Sequence, residues 1–281
     1  MYLRWVGGII DMYKGFALSI LGYSHEHCDN PKDIEDASRC VLTDDYAIVA
    51  VADGHGGDKY FRSGYGSKIA VDSAITKLEE FLKNEEYIAM LLNPNITTKK
   101  TEEIFTQIEK SILSLWNEKI LLDFNSISLE QYKNLKIDNT EFNSYYYGTT
   151  LLFGCLSKNF SYISQIGDGQ ITIFNSDLVI QNPIKKDEKI NFGLTTSLCD
   201  LDAINEFHHK FYKNNINAIV LGTDGLVDSF SEKTYFHVIK TAIYNHQLNE
   251  KLTYDSLKQW LPKVSEKGSR DDISFGIIYR S

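Results

Sequence analysis

The stretch VADGHGG, residues 51–57, follows the apolar run YAIVA and ends it with an acid, three glycines and a histidine. Asp-Gly is a favoured turn dipeptide, and an Asp at a strand end commonly bonds only neighbouring amides. Alone, the stretch is therefore compatible with an ordinary turn. Recurrence changes that reading. Asp168 in QIGDGQ, Asp224 in LGTDGL, and the pair Asp271 and Asp272 in SRDDIS each sit where a strand-like run begins or ends. Glu35 and Asp36 in IEDAS directly precede another such run. If these strand ends lie side by side, their carboxylates converge.

Converging carboxylates repel one another. Two like charges ~4 Å apart cost about 4 kcal/mol at an effective dielectric near 20. Hard divalent cations remove that cost and prefer oxygen ligands, so magnesium or manganese is the expected occupant. Glycine beside each Asp is expected to let backbone approach the ion closely. Two ions a few ångströms apart form a clamp for in-line displacement at phosphorus, with water made nucleophilic at neutral pH. His55, two residues beyond Asp53, is placed to protonate the departing alkoxide.

The surrounding pattern predicts the architecture. Strand-like runs occupy GFALSILGYS (15–24), ASRCVL (37–42) and YAIVAVA (46–52). The period then becomes helical in YGSKIAVDSAITKLEEFLK (65–83) and TEEIFTQIEKSILSLWNEKILL (101–122). Strands return in YYYGTTLLFGCLS (145–157), NFSYISQIGDG (159–169), QITIFNSDLVI (170–180) and INAIVLG (216–222). Two helical patterns and a terminal strand complete the chain. This is not regular strand–helix alternation, and it predicts an α+β fold in one domain over 1–281.

Composition narrows the function. The 281 residues carry a formal charge of -9, which disfavours a nucleic-acid surface. Four scattered cysteines fit neither a thiolate zinc site nor a disulfide framework, so free thiols are expected. The apolar segment WVGGIIDMYKGFALSIL (5–21) is interrupted by Asp11 and Lys14 and lacks a basic leader. The expectation is a cytoplasmic protein with no membrane partner.

Taken in order, IEDAS, VADGHGG, YGTTLLFG, SQIGDGQITIF, VLGTDGLVDSF and GSRDDISFGII resemble the protein phosphatase 2C family of metal-dependent serine/threonine phosphatases. The opening LGYSHEHCDNPKDIEDAS (21–38) is most similar to its bacterial-type branch. The resemblance implies a four-layer α-β-β-α sandwich, two antiparallel sheets flanked by helices, with two metal ions at one end. It implies that Asp53 bridges the ions, that Gly54 lends its carbonyl, and that Asp224 and Asp271 hold the second ion. Glu35 and Asp36 would act through metal-bound water, Asp168 would complete a third, weaker site with Asp224, and His55 would be the general acid. The implied reaction is hydrolysis of phosphoserine or phosphothreonine on proteins by a metal-bridging hydroxide, without a phosphoenzyme. A serine/threonine kinase or its targets are the implied partners.

Departures qualify the match. Several relatives place a phosphate-binding Arg where this chain has Pro31; Lys32, Arg39 and His25 are candidate replacements. Asp272 stands where many relatives carry Asn, and is expected to be tolerated. Segment 180–201 lies where the family keeps a flap, with a solvated charged loop as the alternative. SHEHC (24–28) reads as a loop rather than a zinc site, His208 and His209 as surface, and the tyrosines 145–147 as strand packing. A pseudophosphatase that binds partners through the same fold is the competing reading. A calcium-binding structural protein is disfavoured because the acids are spread across the chain rather than packed in one loop.

Overall fold

A computed structural model describes residues 13–29, 32–128, 141–177, 179–184, 195–213 and 216–281. Strand β3 (Tyr46–Ala52) shows how the sequence generates the layers. Its residues are all buried, because opposite faces of a strand meet different neighbours. Ile48, Ala50 and Ala52 join a core beneath helices, whereas Ala47, Val49 and Val51 join a second core between sheets. Strand β9 (Ile216–Gly222) repeats this, with Ala218 and Val220 on one face and Ile219 and Leu221 on the other.

One sheet has the order β2 (Ala37–Leu42), β3, β4 (Leu151–Ser157), β5 (Ser161–Ile166) and β8 (His208–Tyr212). The other has β1 (Tyr13–Ile20), β10 (Ile273–Arg280), β9, β6 (Gln170–Asn175) and β7 (Ile180–Gln181). Every recorded pairing is antiparallel. Both halves of the expected α-β-β-α sandwich are therefore present.

Helices α2 (Ser63–Leu82) and α4 (Thr98–Ser126) cover the first sheet. Thr97 starts α4 by accepting a hydrogen bond from the Lys100 amide, which satisfies one otherwise open donor. Ile104, Phe105, Ile108, Ile112, Trp116, Ile120 and Phe124 then recur at helical spacing and are buried. Trp116 is fully enclosed and donates its indole N–H to the Gly66 carbonyl at 3.0 Å. Helices α6 (Glu232–Leu248) and α7 (Glu250–Lys267) cover the second sheet. Two short helices are α1 (Tyr23–Glu26) and α5 (Asp224–Val227), and α3 (Glu85–Leu92) is a third element that apolar periodicity did not single out.

Two local expectations are corrected. Ser144–Tyr147 form a 3-10 turn before β4, so the tyrosines do not begin a strand. His209 is not a surface residue: its ring lies on β8 between Glu102 and Glu109 of α4, at 2.7 and 2.8 Å. Glu109 is itself buried, and also accepts from Tyr162 and Ser164. Alternation on an edge strand turns His209 inward while His208 faces out. Pro31 and positions 185–194 of the 180–201 segment lie outside the described residues.

Candidate active site

At one end of the sandwich the strand ends gather. Asp53 follows β3 and Asp36 precedes β2, and the register that pairs Ala37 with Ala52 sets these two acids side by side. Asp224 follows β9, and Asp271 and Asp272 precede β10, its neighbour. Asp168 lies in the link that carries the chain from β5 of one sheet to β6 of the other. The ends therefore come from both sheets. A cavity of about 410 Å³ there is lined by Glu35, Asp36, Asp53, Gly54, His55, Asp168, Asp224, Asp271 and Asp272. All the residues expected to serve the site thus meet in one place.

Hydrogen bonds fix the histidine loop. The Asp53 amide donates to the Thr150 hydroxyl at 3.0 Å, and the Asp53 carbonyl accepts from the Thr150 amide and the Thr149 hydroxyl. The His55 amide donates to the Gly148 carbonyl at 3.0 Å. YGTT is thus the partner of DGHGG. Gly54 is required for a reason other than access to an ion: a β-carbon there would lie 2.4 Å from the Glu35 carbonyl oxygen. Gly148 faces the rings of Tyr60 and His55, whose atoms would stand 2.7 and 2.8 Å from an added β-carbon.

The electrostatics match crowded acids. Burial first, then Asp36 and Asp224, pushes the Asp53 carboxyl well above the usual carboxylate range. Burial and Asp272 do the same to Asp36, partly offset by a hydrogen bond from the Thr223 hydroxyl. Burial also raises Glu35, Asp168 and Asp271. Burial and the Lys59 ammonium push the His55 imidazole down to about 4. Two buried carboxylate oxygens, Glu35 Oε2 and Asp224 Oδ1, have no hydrogen-bond partner. Such orphaned acceptors are uncommon in a folded interior. An all-oxygen donor set with unsatisfied oxygens and excess negative charge fits hard divalent cations.

Asp272 departs from the expectation that it is simply tolerated. It is buried, and its two oxygens accept from the Gly22 amide at 2.6 Å, the Glu35 amide at 2.7 Å and His25 Nδ1 at 3.0 Å. Burial alone would raise this carboxyl, but hydrogen bonds from His25, Gly22 and Glu35 hold it below the usual range. His25 correspondingly titrates higher, through its bond to Asp272 and the charges of Glu35 and Asp271. SHEHC is therefore not a bystander loop: α1 delivers His25 into the cavity, with Nε2 3.7 Å from Glu35 and 4.0 Å from Asp271. His25, Asp271 and Asp272 are also the one compact group of potential metal ligands among the described residues by close spacing of donor atoms.

Of the other candidates to replace an Arg, Lys32 lies 3.8 Å from Glu35, while Arg39 pairs with Asp72 outside the cavity. Lys59, Tyr60, Thr195, Ser197 and Asp200 line the cavity and were not singled out by sequence. The position of Lys59 and Tyr60, two and three residues beyond DGHGG, was the available signal for those two.

Comparison with known proteins bears on the fold and the family. The catalytic domain of the serine/threonine phosphatase PstP, in complex with two manganese ions, is similar at TM-score 0.55 and 16% identity, covering 96% of this chain and 98% of that one. The S. agalactiae serine/threonine phosphatase is similar at TM-score 0.56 and 16% identity, covering 96% and 100%. PppA, a regulatory component of a secretion system in Pseudomonas aeruginosa, is similar at 0.55 and 14% identity, covering 97% and 99%. These likenesses are of fold. No curated protein matched the sequence. The family model for protein phosphatase 2C matches residues 21–262, most of the chain. The chain belongs to the protein phosphatase 2C family of metal-dependent serine/threonine protein phosphatases.

Proposed function

We propose that the chain is one catalytic domain that hydrolyses phosphoserine and phosphothreonine in cytoplasmic phosphoproteins, the targets of a serine/threonine kinase among them. The observation that carries the reading is the convergence of carboxylates with two orphaned buried oxygens, Glu35 Oε2 and Asp224 Oδ1. Asp53, the Gly54 carbonyl, Asp224 and Asp271 would hold two divalent ions, manganese or magnesium, with Asp168 and Asp224 framing a third, weaker position. Glu35 and Asp36 would orient water bound to them. When bound, such ions neutralise the phosphoryl oxygens and make water a nucleophile at neutral pH.

The protein's own groups account for the rest. The Thr149 and Thr150 bonds hold the Asp53 backbone, and so fix the point from which its carboxylate enters the cavity. Tyr60 stands edge-on to His55, with ring centroids 5.0 Å apart, and confines the imidazole at the cavity wall. His55 is neutral at pH 7 until an anion approaches. A phosphoryl dianion beside it favours the protonated ring, so proton and substrate arrive together. The proton then passes from His55 to the departing seryl or threonyl oxygen. None of the four cysteines lines the cavity, and burial pushes the thiols of Cys155 and Cys199 up, to about 12 and about 11.

The test is hydrolysis of a phosphothreonine peptide with manganese, with magnesium and with chelator, alongside Asp224→Asn. Turnover that needs metal and disappears in the variant supports the reading. Metal binding without turnover by the native protein would refute it in favour of a phosphoprotein-binding module.

A further inference from the structure

Lys59 follows the DGHGG loop on a 3-10 turn, Asp58–Tyr60. Among the described residues it is the one lysine or arginine lining the cavity, otherwise walled by eight carboxylates. Its ammonium rests 4.6 Å over the Tyr60 ring, and it forms no ion pair with any described residue. With the carboxylates engaged by cations as proposed above, this exposed ammonium is left to meet an anionic group of the substrate. Its position restricts that use. Tyr60 packs against His55 with ring centroids 5.0 Å apart, and the Lys59 ammonium lies over that same Tyr60 ring. Tyr60 therefore ties the ammonium to the His55 side of the cavity. The leaving-group side of His55 is where the substrate backbone must run.

We infer that Lys59 is a specificity-determining residue that receives a second anionic group on the substrate, beside the phosphorylated serine or threonine. This rests on the phosphatase reading above. The anion is an Asp or Glu carboxylate or a neighbouring phosphate; both present oxygens to an ammonium point charge. An ammonium stacked on an aromatic face keeps its charge and loses side-chain freedom, which favours capture of a flanking group. Because Lys59 is exposed, the effect is modest, a few-fold at most, as for other solvent-facing ion pairs.

The experiment uses phosphothreonine peptides identical except for one neighbouring residue: Gln, Glu or a non-hydrolysable phosphonate analogue of phosphoserine. The readout is the ratio of kcat/KM for each acidic peptide over the Gln peptide, with native protein, Lys59→Met and Lys59→Arg in manganese. Native protein is expected to favour acidic neighbours about threefold, through KM. Lys59→Met should bring the ratio to one, and Lys59→Arg should restore it. A larger ratio for the phosphonate than for Glu identifies phosphate as the preferred anion, and a larger ratio for Glu identifies carboxylate; equal ratios show that Lys59 accepts either. A ratio that survives Lys59→Met, or is one in native protein, overturns the inference. Binding of peptides with a non-hydrolysable phosphonate in place of the phosphate gives the same ratio without turnover. A preference there that Lys59→Met abolishes keeps the inference even if the native protein hydrolyses nothing.

Discussion

Replacing Asp272 should unfold the site end of the protein more than any acid around it. The carboxylate accepts two backbone N–H groups, from Gly22 and Glu35, and the ring of His25. Asp272→Ala leaves the buried Gly22 amide and the part-buried Glu35 amide without this partner. At about 1–3 kcal/mol for each orphaned donor, the variant loses roughly 2–6 kcal/mol. That is a large fraction of the ~5–15 kcal/mol by which domains are stable. Asp272→Asn keeps one carbonyl oxygen, but its NH2 must face either the Gly22 or the Glu35 amide, so about 1–3 kcal/mol is lost. The assay is urea unfolding in chelator, which removes metal binding from the comparison. A His25→Ala, Asp272→Asn cycle adds the pairwise coupling, expected near 1 kcal/mol. Its pH dependence has a definite sign. Asp272 titrates below its unfolded value, so its contribution exists above the ordinary carboxylate range and is lost as pH falls through the folded pKa. His25 titrates above its unfolded value, so its contribution exists below about 6.5 and is lost as pH rises through the folded pKa. Coupling is therefore largest between those limits. A loss under 1 kcal/mol for Asp272→Ala, or a coupling that grows above pH 9, would refute the reasoning.

Gly148→Ala should displace the Tyr60 and His55 rings, whose atoms would stand 2.7 and 2.8 Å from the new β-carbon. Turnover is expected to fall about tenfold to a hundredfold, since misplacement by ~1 Å has effects of that order; turnover within twofold of native would show that the rings move freely. Chelated protein should lose stability as pH rises from 5 to 8, because Asp53 and Asp36 titrate above their unfolded values and the folded state binds more protons. Urea midpoints measured with and without manganese check this, and a chelated midpoint that rises with pH contradicts it. Burial works to lower the His209 imidazole, but its bonds to Glu109 and Glu102 raise it. Its contribution is thus present below about 6.5 and lost as pH rises through the folded pKa, so His209→Ala should lower thermal stability more at pH 6 than at pH 9. Equal losses at both pH values would mean that the ring contributes by packing alone.

Most of the architecture was legible because strand burial writes itself as apolar runs, and the acids stood at their ends. Asp53, Asp168 and Asp224 were conspicuous beside glycine, and Asp271 beside a second acid. Asp272 and His25 were harder to read, since their importance lies in a contact 247 residues apart in sequence. No local pattern distinguishes an acid that accepts two amides from one that turns a chain. His209 was misread for a related reason: HHKFY looks charged, and only its pairing with β5 shows which side chain turns inward. The tyrosines failed as a strand because β propensity describes a fit to a pleated surface, whereas Gly148 and the Asn143 side chain stop the chain in a turn. Helix α3 lacks a long apolar repeat, with Leu91 its one fully buried residue.

Strand β10 has a consequence for synthesis. It is the last of the ten strands among the described residues to be made, yet it lies between β1 and β9, and among those residues β1 has no other strand beside it in its sheet. Strand β1 therefore waits for some 250 residues before this partner exists. Asp271 and Asp272 arrive in the same final stretch. Until then Gly22, Glu35 and Asp53 have no complete set of neighbours, and a nascent chain has half a cleft. Folding intermediates of this protein should accordingly leave one edge of a sheet open, and it is at that edge that a chaperone, or a second unfinished copy, would find it.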